Sequence, residues 1–222
     1  MLGRDDLVPR LEELAKVKKA AVVSKYYDES TGDFCGGIQG ANAFAVDLGL
    51  GDERTLANMV AHYERETWYD TGIFGTDIVT RVLFEKGYAD LAYRLITSSG
   101  KYSFREWMSS GCTTLPEYWT YNRSQNHPMF GAVVRYLFIY LLGIGQDGAG
   151  YGKLRIEPKL VNRLNYAEGH ITTVHGRVGV RYVKTDSAVS FRIEIPEGVE
   201  AVLVYGGEHK LSAGVNELAI SK

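Results

Sequence analysis

The stretch Met129–Ile156, MFGAVVRYLFIYLLGIGQDGAGYGKLRI, decides the fold. Its first half is apolar around most of a helical circumference, which predicts a helix over Met129–Leu142 buried on several sides. Its second half, GQDGAGYGK, is studded with glycine, and beyond Gly150 the apolar residues recur with period two. A change from helical to strand period marks two units. The boundary is placed near residue 146, with a helical unit over residues 1–145, a β unit over 151–222 and a flexible linker between Gly145 and Gly152.

Upstream, Leu7, Leu11, Leu14 and Val17 recur at helical spacing, with Pro9 tolerable in a first turn, so a helix is predicted to run to Tyr26. Asp28–Gly37 reads as a turn-rich loop. Two helical hairpins follow, Ala41–Leu48 with Leu56–Tyr63, and Thr76–Glu85 with Asp90–Thr97. They align without gaps at an offset of 35 residues, Gly40 on Gly75, Leu48 on Leu83, Leu56 on Leu91 and Ala57 on Ala92. Such units cannot bury an apolar face alone, so they stack into a solenoid or close into an α/α toroid; a plain helical bundle is the alternative. Downstream, short runs at Lys153–Ile156, His170–His175, Val178–Lys184, Ala188–Ile195, Ala201–Tyr205 and Asn216–Ile220 predict an antiparallel β-sandwich with no cluster of acids, histidines or cysteines.

Composition excludes more than it selects. The 25 Lys+Arg against 27 Asp+Glu leave a formal net charge of -2, so there is no basic surplus to hold a nucleic-acid backbone. The greasiest segment, Val133–Ile144, is interrupted by Arg135 and too short for a bilayer, and the opening MLGRDDLVPRLEEL reads as no signal peptide; compartment stays unassigned. Cys35 and Cys112 stand at no ligand spacing, so they are expected to be reduced thiols, with no metal and no cofactor.

Polar residues gather in Gly111–Pro128, GCTTLPEYWTYNRSQNHP, too long and too oddly composed for a mere connector. Glu117 stands beside Tyr118 and Trp119 and ten residues before His127, with Asn122, Arg123 and Asn126 between. A carboxylate among aromatics is expected to have a raised pKa and to serve as general base or acid, while Tyr and Trp faces suit the apolar face of a sugar ring. The bland alternatives are a surface pair of Glu117 with Arg123, a core indole at Trp119 and a helix-capping role for His127.

The string Thr113-Thr114-Leu115-Pro116-Glu117-Tyr118-Trp119, followed by Asn126-His127-Pro128-Met129-Phe130-Gly131, resembles the α-L-rhamnosidases of glycoside hydrolase family 78. So do the turn Thr71-Gly72-Ile73-Phe74-Gly75-Thr76 and the phrase Gly87–Tyr93, in the same order along nearly the whole chain. The resemblance implies a partial (α/α) toroid of about six helices followed by an antiparallel β-sandwich. It also implies inverting hydrolysis of terminal α-L-rhamnosides, which needs two carboxyl groups roughly 6.5 to 9.5 Å apart. Glu117 would be the general base; Trp119, His127, Trp68 and Asn126 would be substrate-binding residues.

The chain departs from the pattern at two places. Pro116 stands where many relatives carry tryptophan, and no DxxxRxE motif followed by WxGD, which holds the family's general acid, occurs anywhere. A closed toroid needs twelve helices, and about six are read here. The expectation is therefore a rhamnosidase-like chain that carries the general-base half of the site and is inactive alone, its exposed flanks covered by a homodimer or by a missing N-terminal half. Asp70 and Asp77 are read as helix-start and loop acids satisfying backbone donors. Two rival readings are a non-catalytic carbohydrate-binding or interaction module and another α/α-toroid enzyme, a lyase or unsaturated uronyl hydrolase.

Overall fold

The computed structural model describes residues 4–222; Met1–Gly3, where the reading of the N-terminus begins, lie outside the described residues. Helix α1 (Val8–Tyr26) carries Pro9 in its first turn, where a missing N–H costs nothing. It leads into a two-stranded hairpin, β1 (Tyr27–Asp28) and β2 (Asp33–Phe34). Buried Asn42 of α2 (Gln39–Asp47) anchors that hairpin, accepting from the Phe34 N–H at 2.8 Å and donating to Asp33 at 2.8 Å.

Helix α3 (Glu53–Arg65) starts at Asp52, whose carboxylate accepts from the Arg54 and Thr55 amides while Thr55 reaches back, a reciprocal cap. Helices α4 (Ile73–Glu85) and α5 (Ala89–Ile96) form the second hairpin, at the offset read from the sequence. The matched glycines show why the repeat is kept. A Cβ on Gly40 would lie 3.3 Å from the Thr71 methyl, and one on Gly75 would lie 2.8 Å from Thr71 Cβ, so α2 and α4 both close on Thr71 only because these positions lack a side chain.

The most enclosed helix is α4, with Thr76, Val79, Thr80, Val82, Leu83 and Phe84 all buried. The run predicted as an all-round buried helix over Met129–Leu142 is less covered than its composition suggests. It is continuous from Pro128 to Leu141 but changes from tight 3₁₀ turns (Pro128–Val133) through one α turn (Val134–Tyr136) to wide π turns (Leu137–Leu141). Phe130, Val133 and Tyr136 face the helical core, Leu142 enters the sandwich core, and Met129, Val134 and Ile139 are exposed. Apolar content sets how much surface can be buried, not whether a neighbour is present to bury it. No residue of α1 is buried either; Leu11, Leu14 and Val17 are each at least half exposed. A helix that the hydrophobic periodicity does not reveal, α6 (Phe104–Ser109), was legible only in its cap: Ser103-x-x-Glu106, with Ser103 Oγ accepting from the Glu106 amide.

The second unit is two four-stranded sheets around one core. One sheet runs β10-β7-β6-β5 (Gly214–Ser221, Ala188–Ile195, Gly176–Lys184, Tyr166–Thr173), antiparallel throughout. The other runs β3-β4-β8-β9 (Ile144–Gln146, Lys153–Ile156, Glu200–Val204, Glu208–Leu211) and is mixed, because β4 and β8 pair in parallel. The glycine-rich stretch read as a flexible linker is partly ordered: β3 pairs with β4, and Gly148 and Gly150, both at positive φ, turn the chain between them. Val178, Val180, Tyr182, Phe191 and Ile193 of the first sheet meet Leu154, Ile156, Leu203 and Leu211 of the second. Asp90 of α5 accepts from both the backbone and side-chain N–H groups of Asn162, and the Lys159 amide donates to Tyr140 O at 2.7 Å, which ties the sandwich to the helices.

Candidate functional site

Six aromatic rings converge on one cleft. Trp68, Tyr69, Asp70, Thr71 and Gly72 come from the α3–α4 junction, Tyr102 from the turn before α6, Tyr118, Trp119 and Thr120 from the long loop, and Phe130 from the terminal helical run; together they enclose about 330 Å³. Three hollows are larger: two of about 440 Å³ lie on the sandwich sheets, with exposed charged rims of Arg181, Arg192 and Glu217 or Lys153, Glu200 and Lys210, and one of about 350 Å³ lies by Tyr140 with Glu85, Arg155, Glu157 and Lys159. The aromatic cleft is the concave site with chemistry suited to a sugar face.

The long loop is closed on itself. The Glu117 amide donates to Ser124 O at 2.9 Å, the His127 amide donates to Leu115 O at 2.7 Å, and Thr114 Oγ1 donates to Gln125 O. Gly131 lets Leu115 approach, since a Cβ there would meet its Cδ1 at 2.9 Å. The loop is then pinned to the cleft floor by Trp119, whose Nε1 donates to Thr71 O at 2.7 Å and whose ring stacks on Trp107 at 4.5 Å and on Tyr69 at 6.0 Å. Trp107 Nε1 donates in turn to Trp119 O at 3.0 Å. Thus Trp119 is a core indole that also lines the cleft. Trp68 is different: half-buried, with its ring 5.3 Å from that of Tyr102. Trp119→Phe is therefore expected to cost about 2 kcal/mol by removing the indole donor from Thr71 O, which then keeps only Thr76 Oγ1 at 3.1 Å, and by loosening the ring stack, whereas Trp68→Phe stays within about 0.5 kcal/mol of wild type, checked by urea denaturation midpoints.

Glu117 is half-buried and stands one residue before the lining residue Tyr118. Among the described residues its carboxylate takes no hydrogen bond and no ion pair, so the surface pair with Arg123 is not formed. His127 occupies the N-cap position of the terminal run but makes no side-chain cap, and its Nδ1 is buried without a partner. Asn126 is exposed, its amide donating to Ser124 Oγ at 3.3 Å. The cleft thus gathers Trp68 and Trp119, while Glu117, His127 and Asn126 share the loop beside it.

The two other acids named from the sequence do not serve backbone donors. Asp70 lines the cleft, accepts from the Tyr63 hydroxyl at 2.6 Å and lies 2.9 Å from His62 Nε2. Burial first, and the Asp70 charge second, hold the Tyr63 phenol well above its usual range, so it remains the donor of that bond. Asp77 accepts from Arg135 at 2.9 Å and from the Tyr136 hydroxyl at 2.8 Å, and burial pushes that phenol up to about 12. Both acids sit too far along or before α4 for its free amides, and long-range tyrosine and arginine partners claim them instead. Sequence reasoning missed Tyr69, Tyr102 and Phe130 as cleft residues; the only local signal was the Ser103–Glu106 cap, which fixes where the turn carrying Tyr102 ends.

Cys35 and Cys112 are free thiols, and among the described residues no three His, Cys, Asp or Glu side chains converge as metal ligands. No described helix is long and apolar enough to cross a membrane.

The bacterial α-L-rhamnosidase six-hairpin glycosidase domain matches residues 1–141, and the bacterial α-L-rhamnosidase C-terminal domain matches residues 143–218. An α-L-rhamnosidase of Formosa agariphila is 30% identical over 181 residues, covering 75% of this chain and 19% of that protein. The solved α-L-rhamnosidase from Dictyoglumus thermophilum superposes with a TM-score of 0.88 at 24% identity, over 100% of this chain and 29% of that one. The Streptomyces avermitilis α-L-rhamnosidase complexed with L-rhamnose gives 0.82 at 21% identity, over 99% of this chain and 24% of that one. The chain spans about a fifth of the length of the curated relatives it matches. It belongs to the bacterial α-L-rhamnosidase six-hairpin glycosidase family.

Proposed function

We propose that this member of the α-L-rhamnosidase family contributes the general-base side of an active site that hydrolyses terminal α-L-rhamnosides with inversion. The observation that carries the reading is Glu117: a half-buried carboxylate with no partner among the described residues, on a loop held by backbone bonds, beside a cleft of six aromatic rings. An unpartnered carboxylate keeps its lone pairs for a water molecule. Glu117 accepts that water's proton as its oxygen attacks the anomeric carbon, the glycosidic C–O bond breaks, and a second carboxylic acid protonates the leaving oxygen. Trp68 and Trp119 supply faces for the ring, and His127 and Asn126 supply hydrogen bonds to its hydroxyls. In this reading the acid comes from outside this chain, in which no DxxxRxE motif followed by WxGD occurs.

The exposed apolar side of α1, with Leu11, Leu14 and Val17, is covered in this reading by further helices of a twelve-helix ring or by a second copy. The test is direct. The 222-residue chain is expected to bind L-rhamnose but to hydrolyse an aryl α-L-rhamnoside at least about 100-fold more slowly than a complete family enzyme, because an absent general acid alone costs about 100- to 10,000-fold. Release of the aryl alcohol measures it, and turnover within tenfold of a complete enzyme overturns the assignment. Sugar binding with no turnover, even when the missing helices are added, would favour a binding module instead.

A further inference from the structure

Among the described residues four that are not glycine have positive φ, Cys35, Tyr102, Tyr121 and Tyr151, and of these only Tyr102 lines the aromatic cleft. A bulky side chain at φ 59° is strained, and a glycine there would be free of that cost. The turn is nevertheless built to keep tyrosine in this pose. Glu106 Oε2 accepts from the Tyr102 amide at 2.7 Å, the Glu106 amide donates to Ser103 Oγ at 3.1 Å, and the hydroxyl of buried Ser103 donates to Gly100 O at 2.7 Å. The result is a half-buried phenol ring 5.3 Å from Trp68 and tilted 56° to it, with the Lys101 ammonium 4.8 Å from the ring centroid. In an ordinary capping box the glutamate would return to the N-cap amide of Ser103; here it reaches one residue further back, to the amide of the strained residue itself.

We propose that Tyr102 is a substrate-gripping residue of the cleft, forming a two-ring wall with Trp68 against the apolar face of the sugar, and that Glu106 is its positioning residue. The assignment rests on the rhamnoside reading of the cleft. It explains why a tyrosine stands at a left-handed position that glycine would adopt without strain: among the described residues it is the one non-glycine left-handed position that lines the cleft. Glu106 acts only through Tyr102. When its carboxylate is removed, the amide loses its acceptor and the turn relaxes, moving the ring away from Trp68.

The experiment uses the full 222-residue chain titrated with L-rhamnose, followed by the Trp68 indole resonance, which is assigned by its absence in Trp68→Phe. Tyr102→Gly is expected to change the melting temperature little, the relieved strain offsetting the lost packing of the ring against the helical core, while weakening L-rhamnose binding roughly tenfold, as the loss of one aromatic platform implies. Glu106→Ala is expected to weaken binding to a similar degree and to shift the Trp68 resonance in the absence of sugar, and Glu106→Gln, whose amide oxygen still accepts, restores both. If wild type binds L-rhamnose and Tyr102→Gly binds it equally, the gripping role of Tyr102 is overturned and the rhamnoside reading stands. If Glu106→Ala leaves binding and the Trp68 resonance unmoved, Glu106 is no more than a helix cap. If the wild-type chain shows no response to L-rhamnose, the rhamnoside reading itself falls and takes this assignment with it.

Discussion

When the 222-residue chain is complemented by helices that supply the general acid, Glu117→Gln is expected to lower kcat by about 100- to 10,000-fold while L-rhamnose binding changes little. The amide keeps the volume and the loop geometry, because the Glu117 side chain makes none of that loop's ties, which run from the Glu117 amide to Ser124 O, from the His127 amide to Leu115 O and from the Thr114 hydroxyl to Gln125 O. It cannot take a proton from water. The separation of kcat from binding is the diagnostic feature, since an effect confined to KM would make Glu117 a binding group. An unchanged kcat would remove Glu117 from the mechanism. The half-burial of the side chain and its lack of a partner among the described residues also mean that the substitution strands no donor there, so stability should hold and the kinetic effect stands alone.

A substitution with a comparably large effect on folding is Gly143→Ala. Gly143 adopts φ +73 where the terminal helical run ends, and a Cβ there would lie 2.2 Å from Pro158 N and 2.3 Å from Glu157 C. These are backbone atoms and cannot swing aside. They are also tied down: the Glu157 amide donates to Gly143 O at 2.8 Å, and the Lys159 amide donates to Tyr140 O at 2.7 Å. Left-handed strain and the overlap together are expected to cost about 3 kcal/mol or more, a large share of the roughly 5 to 15 kcal/mol that holds a domain folded. The urea midpoint should fall accordingly, and the sandwich should loosen from the helices, because this crossing sits where the two cores meet at Leu141 and Leu142. A midpoint within experimental scatter of wild type would show that the 157–159 segment yields.

The helical hairpins illustrate how far local pattern reaches. The 35-residue offset was visible because each helix repeats its own apolar spacing, and the offset carries Gly40 onto Gly75, the two positions that both close on Thr71. The Met129–Ile156 text likewise announced a change from helix to strands. What it did not announce was that β4 and β8 pair in parallel, or that β3 adds a strand inside the glycine-rich stretch, since pairing partners of strands are chosen over distance. Helix α6 leaves no period in the sequence because six residues give too few turns, and only its cap carries information.

The site divides in the same way. The motif loop and its glutamate stand out in the sequence because Gly111–Pro128 combines a carboxylate, aromatics and amides in a segment too polar to be core. Two tryptophans that look alike in that text, Trp68 and Trp119, part company only in three dimensions: Trp119 spends its indole N–H on Thr71, 48 residues away, and Trp68 leaves its ring at the cleft wall. Asp70 and Asp77, which a local reading assigns to backbone amides, are claimed by Tyr63 and by Arg135 and Tyr136. By itself the sequence determined what depends on neighbours along the chain: helix and strand period, the repeat, the turn glycines and the composition of the loop. The tertiary structure decided which aromatic rings share a cleft, which carboxylates are paired, and that the one beside the cleft, Glu117, takes no partner among the described residues, because those are set by contacts between residues tens of positions apart, where packing overrides local preference.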